Sequence, residues 1–120
     1  MTKYHQARED ASQAIELDPG LANAYFNRGR ALASLNNFQD ALKDFDQAIN
    51  LDPMFSWSFL HRGSVFLKLD KKEQALEDFK RAAILGNQEA QGYLKKRKIQ
   101  WLVGDNTMVT PVEEVPNPWI

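Results

Sequence analysis

Few side chains in this sequence can bind a metal ion, shuttle a proton or attack a carbonyl, and those few do not converge. The two histidines, His5 and His61, are far apart and share no ligand spacing with a carboxylate. Cysteine is absent, which excludes thiolate metal sites, thiol nucleophiles and disulfide staples together. The acidic pairs Glu9-Asp10, Asp44-Asp46 and Glu77-Asp78 have Lys or Arg nearby and read as solvated helix faces. The glycines are isolated, so no phosphate-cradling loop can be drawn. Catalysis needs acid, base, nucleophile or metal ligands gathered in one pocket. The expectation is therefore no catalytic residues, no metal site and no cofactor.

Charge excludes further classes. Fifteen Lys plus Arg against sixteen Asp plus Glu leave a formal charge of −1 and a pI near 6.1, so no global field draws in phosphate or anionic lipid. Nucleic acid is not expected as a partner. The run Lys95-Lys96-Arg97-Lys98 can be read as a nuclear address or as an RNA or membrane-surface patch, but cations in the last turns of a helix also simply suit the negative end of its dipole, which is the reading preferred. No stretch approaches the roughly 18 apolar residues of a membrane span, and the polar Met1–Gln6 lacks a secretion signal. These features predict a soluble, cytoplasmic chain with no membrane contact. At 120 residues, 43% apolar and 26% charged, it has the material for one folded domain.

The elements that place these residues follow from an internal repeat. Glu16-Leu17-Asp18-Pro19 recurs as Asn50-Leu51-Asp52-Pro53, and Arg28-Gly29 as Arg62-Gly63, each 34 positions on. In the same register Tyr25 matches Phe59, Leu32 matches Phe66, and Ala41-Leu42-Lys43-Asp44-Phe45 matches Ala75-Leu76-Glu77-Asp78-Phe79. Ala7, Ala41 and Ala75 form one column, and Ala14, Ala48 and Ala82 another. What recurs is apolar or small and falls at helical spacing, as repetition of packing faces requires.

The unit is a pair of helices, over 21–35 and 38–51, then again over 55–69 and 72–84. Asn36-Asn37 and Asp70-Lys71 supply turns within pairs, while Pro19 and Pro53 end one helix and open the next. Gly29 and Gly63 fall inside helices, where each costs about 1 kcal/mol relative to alanine. The expected compensation is close approach of the paired helix at Ala41 and Ala75.

These residues resemble the tetratricopeptide repeat: an aromatic, then Gly, then Leu or an aromatic in the first helix, Ala, Phe and Ala in the second, then Pro. The resemblance implies an all-α solenoid of stacked antiparallel helix pairs with a C-terminal cap helix and an extended tail. Its repeat domain covers 1–103: a half repeat at 3–19, full repeats at 22–55 and 56–89, and a cap helix at 88–101. Residues 3–17 resemble only a second helix, with Ala11 in place of a large aromatic, so the N-terminal face should be open. An imposed boundary, an upstream chain or a second copy would account for that.

The resemblance also implies a scaffold that holds a peptide or helix of a protein partner along the first helices of its pairs. In this register the groove is lined by Asn23, Phe26, Asn27, Arg30 and Ser34, then Trp57, Leu60, His61, Ser64 and Lys68, then Gln91, Leu94 and Lys95. Phe26, Trp57 and Leu60 stand out as groove-facing apolar anchors. Trp57 and Phe55 sealing the joint between repeats is the competing reading. Some members of the family grip the terminal carboxylate of heat-shock chaperones with Lys and Asn side chains. Counted from the truncated repeat, Asn27 matches one of those asparagines, but the lysine and arginine positions fall on Trp57 and His61. Counted from Ala22, the positions hold Phe26, Arg30, His61 and Gln91, and only Lys95 keeps the required charge, so the clamp is poorly reproduced.

Residues 104–120 have three prolines and no helical period, which predicts an extended tail. Their Val, Pro and Trp content suggests docking in a groove, the chain's own or a neighbour's, with Trp119 as an anchor. A structural alternative is homo-oligomerisation through the open N-terminal face or the tail.

Overall fold

A computed structural model describes residues 2–102. The tail expected over 104–120, with Trp119, lies outside the described residues. Among those described, six helices follow in order: α1 (Lys3–Leu17), α2 (Ala22–Ser34), α3 (Phe38–Leu51), α4 (Ser56–Lys68), α5 (Lys72–Ile84) and α6 (Gln88–Lys96). Each packs mainly on its neighbours in the chain, in a body 50 × 27 × 20 Å. The fold is all-α, in adjacent helix pairs.

Two kinds of corner alternate. After α1 and α3 the chain leaves through extended Asp18 and Asp52, whose Oδ1 atoms accept the N–H of Gly20 (3.0 Å) and Met54 (3.3 Å) across the proline. After α2 and α4 it turns through a left-handed residue, Asn36 (φ 64°) and Asp70 (φ 59°). There the N–H of Asn37 and Lys71 reach the Leu32 and Phe66 carbonyls at 2.8 Å, satisfying groups the helix end would leave orphaned. At α5 the second kind replaces the first: Gly86 (φ 96°) turns the chain, and Asn87 N–H bonds Ala82 O at 3.0 Å. Asn87 then caps α6 by accepting Ala90 N–H at 2.9 Å, and its amide donates to Ser56 Oγ at 3.1 Å.

α6 is shorter than the helix expected over 88–101. It ends at Lys96, because Lys98 takes a left-handed φ of 56° and Ile99 N–H bonds back to Leu94 O at 2.9 Å. The turn returns Ile99, Trp101 and Leu102 to the apolar cluster of Phe59, Phe79 and Leu94, and Trp101 is buried there. Covering that end of the core outweighs continuing the helix. Lys95 and Lys96 occupy the last turn, as the dipole argument expects. Arg97 lies 3.7 Å over the Tyr93 ring.

The glycines are needed, but by a different neighbour than expected. A Cβ on Gly29 would lie 2.8 Å from Cε1 of Phe45, and one on Gly63 would lie 2.8 Å from Cε1 of Phe79. The facing aromatic ring, rather than Ala41, fills the space at Gly29; at Gly63 the Ala75 carbonyl adds a contact at 3.2 Å. Ala41 and Ala75 are sealed beside these rings.

Asp44 and Asp78 correct the reading of solvated acidic faces. They are 5% and 4% exposed, and each takes a two-pronged bond from the arginine sixteen positions before it. Arg28 also donates to Ser12 Oγ on α1 (3.2 Å), and Arg62 to Asp46 on α3 (2.8 Å). Each arginine thus ties its own pair to the helix before it. The bond to Asp78 raises the Arg62 pKa further above its ordinary value, so the half-buried guanidinium stays charged.

Candidate functional site

The first helices of the two complete pairs, α2 and α4, expose one face beside two adjoining cavities. The larger, about 550 Å³, lies between α1 and α2 and is lined by Tyr4, Ala7, Ala11, Ala14, Asn27 and Arg30, among others. The smaller, about 390 Å³, runs from Arg30 and Ser34 of α2 across Phe45 to His61, Ser64 and Lys68 of α4. Arg30 and Ser34 border both, which joins them into one groove.

The two cavities are repeat images of each other. Ala11 stands in the column of Phe45, Tyr4 in that of Phe38, and Ala31 in that of Val65. The first is larger because a methyl replaces a phenyl ring and because, among the described residues, no helix covers α1 as α2 covers α3. Ala7 is exposed and Ala14 half-buried, where Ala41 and Ala48 are sealed.

The residues expected to line the groove separate into three groups. Asn23, Asn27, Arg30, Ser64 and Lys95 are exposed, with Trp57 41% exposed at the entrance to α4. His61 and Gln91 are half-buried, and Gln91 Nε2 donates to Ala83 O at 2.9 Å, tying α6 to the end of α5. Phe26 and Leu60 are 7% exposed each, and Leu94 is sealed. These three are packing residues rather than open anchors. Phe26 meets Phe55 edge-on at 5.1 Å and His61 at 5.4 Å, so it closes the joint between repeats. A signal for this was available: Phe26, Leu60 and Leu94 are spaced by 34 and apolar throughout, the mark of a packing column.

His61 is the hub of the joint. Its ring lies 6.2 Å from Phe45, roughly parallel to it, and 6.1 Å from Trp57. Burial pushes its pKa down to about 4, and Arg30 adds repulsion, so it is neutral at pH 7. The other histidine, His5, belongs to the start of α1: its N–H bonds Thr2 Oγ1 at 3.3 Å while its Nδ1 pairs with the same hydroxyl at 2.8 Å. Among the described residues no cluster of three potential metal ligands occurs, and no helix is long and apolar enough to cross a membrane.

Charge along the groove is mainly positive. Arg30 and Lys68 flank the smaller cavity, whose lining among the described residues includes no carboxylate. The larger has Lys3 and Asp10 as well as Arg30. Polar Asn27, Ser34 and Ser64 fill the intervals, so the surface offers hydrogen-bond partners and cations to a segment laid along it.

Residues 22–55 match the family model of the tetratricopeptide repeat. Among solved structures, the second such domain of Spaghetti (RPAP3), bound to the HSP90 peptide SRMEEVD, is 34% identical with a TM-score of 0.67; the match covers 69% of this chain and 77% of that one. The second domain of human RPAP3, in complex with the HSP70 peptide SGPTIEEVD, is also 34% identical, covers 82% and 83%, and has a TM-score of 0.72. The Arabidopsis OM64 domain is 28% identical over 79% and 83%, with a TM-score of 0.71. No curated protein sequence matches the chain directly. With this identity across most of both chains, a 34-residue period and helix pairs closed by glycine against phenylalanine, the chain belongs to the tetratricopeptide repeat family of protein-binding, non-catalytic modules.

Proposed function

We propose that this domain holds an extended, acidic and apolar peptide segment of a partner protein in the groove along α2 and α4. The observation that carries the reading is the cavity bounded by Arg30, Ser34, His61, Ser64 and Lys68, with cations at its rim and, among the described residues, no acidic one in its lining. Trp57, exposed and leaning on His61, supplies apolar surface next to it. The related domains bound to SRMEEVD and SGPTIEEVD support a ligand of this composition.

The groove differs from one built for a terminal carboxylate. Of the five positions that would hold it, Phe26 is buried, His61 is neutral and Gln91 is committed to Ala83; Arg30 and Lys95 remain as cations. The ligand is therefore read by its acidic side chains and apolar residues rather than by its end. Calorimetric titration with SGPTIEEVD as free acid and as C-terminal amide tests this. Comparable affinity for both, weakened by Arg30→Glu and Trp57→Ala, is the expected result. Loss of binding on amidation would overturn the side-chain reading, and affinity indifferent to both substitutions would overturn the groove.

Self-assembly is a second reading, favoured by the uncovered alanine face of α1 and the 550 Å³ cavity beside it. Light scattering across a range of concentrations separates it: a mass that rises with concentration and falls back on Ala7→Glu, at an exposed position of that face, would support it.

A further inference from the structure

The peptides bound by the two RPAP3 domains share an apolar residue followed by Glu-Glu-Val, as Met-Glu-Glu-Val and Ile-Glu-Glu-Val. This chain carries the same pattern in its own tail, at Val112-Glu113-Glu114-Val115. We propose that this segment is a tethered ligand of the chain's own groove, with Glu113 and Glu114 set against Arg30 and Lys68. The inference rests on the groove reading above and names an occupant that would compete with any partner.

Charge is the first argument. Residues 103–120 contain Asp105, Glu113 and Glu114 and no Lys, Arg or His, while the remaining residues carry 15 basic against 13 acidic side chains, since 16 − 3 = 13. A uniformly acidic tail thus follows a domain whose groove rim carries Arg30 and Lys68. In both related peptides Asp follows the Val; here Pro116 follows it. The matching change is in the groove, where Phe26, His61 and Gln91 stand at positions that would grip a terminal carboxylate. A ligand without an end after its valine meets a site without a full clamp for one.

Reach is the second argument. The described chain finishes at Leu102, packed on the cluster that includes Leu60 and Leu94, and Leu60 is the neighbour of His61 on α4. Seven residues, 103–109, separate it from Thr110. Fully extended they span about 23–25 Å, comparable to the 27 and 20 Å shorter dimensions of the body. Pro111 and Pro116 bias Thr110 and Val115 toward the extended backbone that a groove between helices accepts. A short tether supplies an effective concentration on the order of 1 mM, enough to fill a site whose intrinsic affinity is only about 100 μM.

The test uses the full chain and its Glu113→Lys/Glu114→Lys variant, with a fluorescein-labelled peptide of residues 108–117 as the probe. The probe should bind the variant about tenfold more tightly than the unaltered chain. The amide resonances of His61 and Ser64 should shift between the two proteins, with helicity unchanged and no dependence on protein concentration. Equal probe affinity for both proteins would remove the tail from the groove while leaving the groove as a peptide site. Failure of the probe to bind either protein would also overturn the tethered ligand, and the SGPTIEEVD titration then decides the groove separately. A difference that grows with protein concentration would assign the tail to a second copy and overturn occupancy within one chain.

Discussion

Arg62 on α4 grips Asp78 on α5 with Nε and Nη2, at 2.9 and 2.8 Å, and turns its remaining arm to Asp46 on α3. One side chain joins three consecutive helices, and Arg28 repeats the arrangement one unit earlier with Ser12 in place of Asp46.

Removing that arginine strands a buried carboxylate, so Arg62→Met should cost about 3 kcal/mol, near the lower end of the range for breaking a buried pair. Asp46→Ala removes only the exposed arm and should cost under about 1 kcal/mol. The double variant Arg62→Met/Asp78→Leu should recover most of the loss, since it leaves no unpaired charge. Urea denaturation of the three proteins checks all of these.

At Gly63 two effects oppose each other. Alanine gains about 1 kcal/mol of helix propensity, but its methyl would sit 2.8 Å from the Phe79 ring and 3.2 Å from the Ala75 carbonyl. Overpacking of about 1–3 kcal/mol should win, giving a net loss on the order of 1 kcal/mol. Gly29→Ala should be milder, because the three atoms nearest its added methyl all belong to the Phe45 ring, and a ring can tilt where a backbone carbonyl cannot. Thermal melts of both variants give the order.

Ser58 is fully buried, and its hydroxyl finds no partner among the described residues. The equivalent position one repeat earlier is Ala24, also buried. Ser58→Ala should therefore stabilise the domain by about 1 kcal/mol, the cost of an unsatisfied hydroxyl. A midpoint unchanged or lowered in urea would show that the hydroxyl is satisfied in solution.

His61 makes stability depend on pH. Its folded pKa of about 4 lies below the ordinary 6.5, so between those values the unfolded chain binds the extra proton. Its contribution is present above about pH 6.5 and is lost as pH falls toward 4. His61→Gln should flatten that part of the stability profile relative to the unaltered protein; parallel profiles would show that the ring titrates normally.

Most of the helix pattern was legible in the residues. The segments predicted at 38–51 and 72–84 match α3 and α5, because a column such as Ala41, Phe45 and Ala48 must face one way on any helix. The early end of α6 was not, since lysine is an uncommon left-handed residue and nothing local marks Lys98 as the place to turn. Of the groove, the polar positions Asn27, Arg30 and Ser64 were legible as those the repeat does not need.

Period and chemistry along the chain determine which residues belong to packing columns, because burying an apolar stripe is a requirement that each helix carries with it. How far each position is then covered depends on the helix that arrives from elsewhere. Phe26 is sealed by Phe55 and His61, Trp57 remains half in solvent, and Asp44 and Asp78 are buried because an arginine on the facing helix makes burial affordable. Exposure is a property of the space between elements, and that space exists once the helices have met.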